Sequence, residues 1–315
     1  MVISGSNTYF LSCDWGSSRF RLRLVDRSRH QAITEHLTGD GIQVVVAAHA
    51  DRSTRPNALA RVLESGLAAL GVADRSDIPV VISGMATSTL GWHPLPYAPL
   101  PAPINGGTLR FHDLDVSGRQ VRLISGLQSA SDVMRGEETE LVGLFADAKR
   151  RALAADCLVI LPGTHAKHVR LRANEIVGFT TYLTGELFSL LARNSTLDLG
   201  PSTRFHRDAF LHGVRTARES GLSAGLFQTR ARTVLGLMPA EHGRPFLSGV
   251  VIGAEIAAMA ANETGPVLLA ASETFAEPYA LAMAELRPGL NVIPIPPSEL
   301  ADATVRGHAR LLVYT

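Results

Sequence analysis

The sequence predicts an α/β chain made of two similar halves with a cleft between them. Three observations predict it. Apolar strands open both halves, at Thr8–Cys13 and Cys157–Leu161, and each runs into a glycine turn, Gly16-Ser17-Ser18 and Gly163-Thr164. An alternating segment follows each turn, the period-2 mark of a half-buried strand. Each half then alternates helix and strand, the pattern of a parallel sheet. At 315 residues the chain has room for two domains of about 150 residues each.

In the first half, Arg19–Asp26 places Phe20, Leu22 and Leu24 on one face and Arg19, Arg21 and Arg23 on the other, so it pairs with Thr8–Cys13 as a hairpin. Gln31–Leu37 is a weaker third strand. Pro56 suits a first helical turn, and Leu59, Val62, Leu63, Leu67 and Leu70 carry helical spacing over Ala58–Leu70. Pro79–Ser83 and Val121–Ser125 read as buried strands, and Asp132–Arg151 as one helix. Leu90–Pro103 is proline-rich, hence a stiff extended wall rather than a helix. The second half repeats the order: strands at Cys157–Leu161, His168–Arg172 and Ile176–Leu183, a helix from Glu186, a strand at Pro266–Ala271, a helix at Thr274–Leu286, a strand at Asn291–Ile295 and a helix at Ser298–Leu312. The expected domains are 1–151 and 152–315, with a helical insertion at about 200–263 in the second.

Composition narrows the function. A hydrophobic share of 46% excludes disorder, and no apolar run approaches the roughly 18 residues of a membrane span. Met1–Phe10 lacks the features of a signal peptide, so a cytoplasmic location is expected. A net charge of +1 argues against a nucleic-acid partner. Cys13 and Cys157, the only cysteines, exclude a disulfide scaffold. Lys149 and Lys167 are the only lysines in an arginine-rich chain, which draws attention to Lys167.

The chemistry concentrates in a few motifs. In Asp14-Trp15-Gly16-Ser17-Ser18-Arg19, Gly16 lets the backbone approach an anion, and the amides and hydroxyls of the turn can donate to phosphate oxygens. Asp14 can hold Mg²⁺ through water. A plain Asp-Gly-Ser hairpin turn is the competing reading. Pro162-Gly163-Thr164-His165-Ala166-Lys167 stands at the equivalent place in the second half, where His165 and Lys167 could equally be solvated surface groups. Taken together, two such turns facing each other would clamp a triphosphate. In Arg135-Gly136-Glu137-Glu138-Thr139-Glu140, one carboxylate can take a proton from an attacking hydroxyl, and Arg135 can bind an acid group bidentately. Glutamates in a first helical turn also serve simply as dipole partners, and Arg135 could form a salt bridge to an acidic neighbour. Trp92 is either a substrate wall or core, and Trp15 reads as packing. Gly249 and Gly253, in Phe246–Ala254, read as close helix packing.

Asp14–Arg19, Gly84–Trp92 with Pro94 to Pro101, Met134–Leu144, Leu161–Lys167, Thr184-Gly185-Glu186-Leu187 and Phe246–Ile256 occur in the order found in the 2-dehydro-3-deoxygalactonokinase (2-keto-3-deoxygalactonate kinase) family, which the chain resembles over most of its length. That family belongs to the actin-like, sugar-kinase ATPase superfamily. The resemblance implies two actin-like (ribonuclease H-like) domains, ATP and Mg²⁺ as cofactors, and transfer of the γ-phosphoryl group to the 6-hydroxyl of 2-dehydro-3-deoxy-D-galactonate in galactonate and galactose catabolism. The first domain would bind the acceptor and one end of the phosphate chain, the second the nucleotide. It implies Asp14 as metal ligand, Glu137 or Glu138 as base, and Gly16, Ser17, Ser18, Arg19, Gly163, Thr164, His165 and Lys167 around the phosphates. Met85, Trp92, Tyr97 and Arg135 would line the acceptor site. The superfamily's adenosine turn usually carries a glycine pair or Gly-Thr. Here it reads Ala270-Ala271-Ser272-Glu273, so Ser272 alone is carried over. The second turn also lacks the aspartate that many relatives place before it.

The rival readings are a kinase for another 2-keto-3-deoxy sugar acid, a phosphohydrolase using the same glutamates on water, and an actin-like assembly or sensor protein. The acceptor and ATP are the expected small-molecule partners. The oligomeric state is open, a homodimer included.

Overall fold

The structure is a computed structural model that describes residues 8–49, 51–197, 199, 204–259, 263 and 265–313. It packs as two units. The first takes the chain up to Ala155 together with Leu171–Gly178 and the chain from Ser298 on; the second takes Asp156–Arg170 and Phe179–Pro297.

The sheet of the first unit runs in the order Gln31–Thr38, Phe20–Asp26, Tyr9–Trp15, Val80–Gly84, Arg119–Ile124, Phe111–Val116. Its first three strands pair antiparallel, and Val80–Gly84 and Arg119–Ile124 continue it in parallel. Val80–Gly84 is buried at every residue, as a parallel strand covered on both faces must be. Helix Arg55–Ala69, with Pro56 in its first turn, sets Leu59, Leu63 and Leu67 four residues apart on one face. That face packs on Leu11, Cys13, Trp15, Phe20 and Leu22. The alternation expected along Phe20–Asp26 breaks at Leu24/Val25, where the pairing with the third strand shifts register. A bulge turns the following side chain over, so Val25 is buried and Leu24 only partly.

In the second unit the order is Val292–Pro294, Val267–Leu269, Asp156–Leu161, Ala166–Arg172, Glu175–Tyr182. Val267–Leu269 is parallel to both Asp156–Leu161 and Val292–Pro294. Both sheets therefore read third strand, second, first, then two parallel strands, the duplicated topology of an actin-like fold. Residues 171–178, the end of Ala166–Arg172 and the start of Glu175–Tyr182, group with the first unit, where Glu175 and Ile176 pair with Pro103 and Ala102 at the sheet's edge.

Three elements differ from expectation. The single helix over Asp132–Arg151 is a short strand Val133–Met134, a helix Glu137–Leu144 and a helix Ala148–Leu153. Gly136, at φ 109°, starts the second of these, and the Asp147 side chain caps the third by accepting from the amides of Lys149 and Arg150. Helix Ile42–Ala48 and the edge strand Phe111–Val116 were not foreseen. The insertion consists of helices Arg207–Val234, kinked at Gly221, and Gly243–Ala257; residues 200–203 and 260–262 of its expected span lie outside the described residues. Gly249 serves packing as expected, since a Cβ there would lie 2.0 Å from the Phe210 carbonyl oxygen. Leu90–Pro103 is extended, with short strands Ala98–Pro99 and Ala102–Pro103. No helix among the described residues is long and apolar enough to cross a membrane.

Candidate active site

In the first unit the chain turns tightly after Trp15, the Gly16 amide donating to the Arg19 carbonyl at 2.9 Å. Helix Ile42–Ala48 docks end-on against this turn: the amides of Ile42 and Gln43 donate to the carbonyls of Gly16 and Ser17, each at 3.0 Å. The approach is so close that a Cβ on Gly41 would lie 2.4 Å from Ser17 O and Arg19 N. Only glycine fits there. The helix spends its first two amides on the turn's carbonyls, and the Ser17 and Ser18 amides meet no backbone acceptor among the described residues. Those amides are donors for an anion.

Three backbone segments converge beside the turn. Trp15 pairs with Gly84, whose φ of 93° and close contact with the Trp15 carbonyl require glycine, and Gly136 packs against Gly84. This brings Asp14, at the end of its strand, beside the start of helix Glu137–Leu144. Burial pushes the Asp14 carboxyl up, Arg21 and Arg23 pull it down, and Glu137 pushes it up again. Burial and then Glu137 raise Glu138 to about 8; burial, Glu137, Asp14 and Glu138 raise Glu140 to about 8. Glu138 is only 1% exposed and takes the Gly136 amide at 2.7 Å and the Thr139 hydroxyl at 3.2 Å. It is a buried cap. Glu137 is partly exposed and accepts the Arg135 amide at 3.0 Å.

The expected wall sits against the same site. Trp92 meets Trp15 edge-on at 6.2 Å, and Met85 and Trp92 pack on the first unit's core. The Arg135 guanidinium lies 4.2 Å over the Tyr97 ring, donates to the Thr87 hydroxyl and reaches the Leu95 carbonyl at 3.5 Å. These partners are aromatic, hydroxyl and carbonyl groups of the wall.

The second turn is built like the first. A Cβ on Gly185 would lie 2.3 Å from the Gly163 carbonyl oxygen, and the Glu186 amide donates to the Thr164 carbonyl at 2.9 Å. Helix Thr184–Asn194 thus docks end-on here as Ile42–Ala48 does on the first turn. The side chains differ. His165 is exposed with Nε2 2.5 Å from Glu186, whereas Lys167 is 3% exposed and donates to the His165 carbonyl at 3.4 Å. Beside this turn lies a largely apolar pocket of about 460 Å³, lined by Gly185, Phe188, Phe205, Ser248, Thr274 and Phe275 among others. Ser272 is exposed and does not line it; its carbonyl starts helix Glu273–Leu286 and its hydroxyl caps nothing. Thr274 and Phe275, the residues just beyond it, do line the pocket.

The structure thus brings together Asp14, Gly16, Ser17, Glu137, Glu138, Met85, Trp92, Tyr97 and Arg135 in the first unit, and Gly163, Thr164, His165 and Lys167 in the second. Ser18 and Arg19 are exposed on the first turn. Gly41, which seats the helix on the first turn, was not singled out in the sequence. Among the described residues no group of three or more His, Cys, Asp or Glu is disposed to hold a metal by itself.

Residues 14–308 match the family described as 2-keto-3-deoxy-galactonokinase. A Rhizobium meliloti (strain 1021) protein named a probable 2-dehydro-3-deoxygalactonokinase, DgoK1, is 33% identical over 96% of this chain and 97% of its own length. The 2-dehydro-3-deoxygalactonokinase of Escherichia coli (strain K12) is 40% identical over 58% of this chain and 61% of its own. The crystal structure of a Sinorhizobium meliloti protein, provisionally named a 2-dehydro-3-deoxygalactonokinase, superposes with a TM-score of 0.78 at 32% identity, covering 96% of this chain and 99% of that one. The chain belongs to the 2-keto-3-deoxy-galactonokinase family and is by that membership a sugar kinase.

Proposed function

We propose that the chain transfers the γ-phosphoryl group of ATP to the 6-hydroxyl of 2-dehydro-3-deoxy-D-galactonate. The observation that carries this reading is the duplicated turn: in each unit a helix start packs through a glycine on the turn, its amides donating to the Gly16 and Ser17 carbonyls in one case and to the Thr164 carbonyl in the other. Two such cradles suit a polyphosphate, and the apolar pocket beside the second suits a nucleobase. Phosphoryl transfer asks the protein mainly to position groups and neutralise charge.

ATP with Mg²⁺ supplies the phosphoryl group and most of that neutralisation. Asp14 fits the role of orienting Mg²⁺: a hard cation with several phosphate and water ligands needs one or two carboxylates, and a cation there would relieve the repulsion between Asp14 and Glu137. Ser17, Ser18, Gly163 and Thr164 would donate to phosphate oxygens, with the buried Lys167 behind the second turn adding positive charge. Glu137 would accept the proton of the acceptor hydroxyl. Glu138, committed to the Gly136 amide and Thr139, would not. Arg135, stacked on Tyr97 and bonded to the Thr87 hydroxyl, would line the acceptor site and bind its carboxylate. On this reading residues 1–151 serve the acceptor and metal and residues 152–315 the nucleotide, in the cytoplasm.

A coupled ADP-release assay over a panel of 2-keto-3-deoxy sugar acids and plain hexoses tests this. ADP release should depend on the acceptor and be fastest with 2-dehydro-3-deoxy-D-galactonate. Preference for another sugar acid would reassign the acceptor, and equal release without acceptor would make the chain a phosphohydrolase.

A further inference from the structure

Helix Gly243–Ala257 is apolar from Phe246 to Ile256 except for Ser248 and one carboxyl group, Glu255, which is 2% exposed. Both its oxygens are engaged. His168 Nε2 lies 2.8 Å from Oε1, while Oε2 accepts from the Tyr279 hydroxyl at 2.8 Å and from the Thr184 hydroxyl. Burying a carboxyl group is unfavourable unless its partners are fixed, and here each partner comes from a different element. His168 is on the strand leaving the second turn. Thr184 opens the helix whose next residue, Gly185, packs on Gly163 and Thr164. Tyr279 is on helix Glu273–Leu286, whose first turn gives Thr274 and Phe275 to the apolar pocket. Burial and then Glu255 raise the Tyr279 phenol, so it remains a donor.

We propose that Glu255 is a positioning residue for nucleotide binding: it ties the phosphate turn at Gly163–His165 to the Thr274–Phe275 wall of the pocket, fixing the separation that a nucleoside diphosphate spans. This rests on the nucleotide reading above. It separates two kinds of ligand. Adenosine touches only the pocket, whereas ADP must reach pocket and turn at once, so only ADP feels the spacing between them.

The test is isothermal titration of ADP and of adenosine against the full chain and its Glu255→Gln and Tyr279→Phe variants, well below each variant's melting temperature. In Glu255→Gln an uncharged amide replaces the carboxylate, its NH₂ facing either the two hydroxyls or His168 Nε2, and a lost or weakened buried hydrogen bond corresponds to about tenfold in binding. ADP affinity should fall about tenfold in Glu255→Gln and by a smaller factor in Tyr279→Phe, with adenosine affinity unchanged in both. Tyr279→Phe removes one hydroxyl and carries the test if Glu255→Gln does not fold. Equal losses for ADP and adenosine, or lowered melting with neither affinity changed, would make Glu255 a packing residue and overturn the inference alone. Failure of the unmodified chain to bind ADP overturns the nucleotide reading and the inference with it.

Discussion

The turns at Gly16 and Gly163 share one frame and differ in chemistry. Each follows the first strand of its sheet, and each is gripped by the start of a helix that follows the third strand, through Gly41 in one case and Gly185 in the other. Around the first turn stand carboxyl groups: Asp14, Glu137, Glu138 and Glu140. Around the second stand His165, paired with Glu186, and the buried Lys167. Duplication preserved the backbone that presents amides, which any phosphate can use. The side chains diverged, so that four carboxyl groups stand by one turn and a histidine–glutamate pair with a buried lysine by the other. Backbone geometry thus carries what the two turns share and side chains what distinguishes them.

The sharpest way to break this comparison is at the helix start beside the first turn. Glu137→Gln should lower kcat by about 10²–10⁴-fold if Glu137 is the general base. Glu138→Gln should act mainly on melting temperature, because Glu138 is a buried cap. Equal mild effects on kcat from both would remove the base from this helix. Asp14→Asn comes next, with a loss of about 10²–10³-fold in turnover at saturating Mg²⁺, the scale of removing one preorganised electrostatic group. Near-normal turnover in that variant would leave the two turns chemically alike.

The frame itself is tested by Gly41→Ala and Gly185→Ala. Each puts a Cβ within about 2.4 Å of the turn's backbone, and overpacking of this kind destabilises by about 1–3 kcal/mol. Both variants should melt several degrees lower. Gly185→Ala should raise the KM for ATP more than the KM for the acceptor.

The smallest effect concerns pH. Glu140 has a folded pKa of about 8, above its ordinary 4.5. The fold therefore holds this proton more tightly than the unfolded chain does, and the group's contribution to stability is complete below about 4.5 and lost as pH climbs towards 8. Glu140→Gln should accordingly melt a few degrees above the unmodified chain at pH 8.5 in chelator, with little difference at pH 4.5. An unchanged gap across that range would mean that Glu140 is not electrostatically stressed.

Strand order and both turns were legible in the sequence because apolar runs and period-2 alternation end at glycines. The helix over Asp132–Arg151 was misread because Gly136 and Asp147, one a positive-φ start and the other an N-cap, interrupt a pattern whose apolar spacing looks continuous. Phe111–Val116 escaped notice because His112, Asp113 and Asp115 make an edge strand look like loop. Gly41 could not be recognised from its neighbours, since its role depends on a helix end meeting a turn more than twenty residues earlier. Glu255 did leave a signal: a lone carboxyl group in an apolar helix must have partners.

Alanine at Gly16 or Gly163 would face no obstacle within the protein, the nearest atoms lying 3.7 and 3.8 Å from the added carbon. The folded chain without ligand is therefore sterically indifferent to a methyl group at these two positions, unlike Gly41 and Gly185. Whatever intolerance these sites display must originate in the guest rather than the host. A methyl group there works as a depth gauge: the amount by which each variant weakens ADP, against its effect on the empty protein, measures how deeply the phosphate chain seats in each cradle.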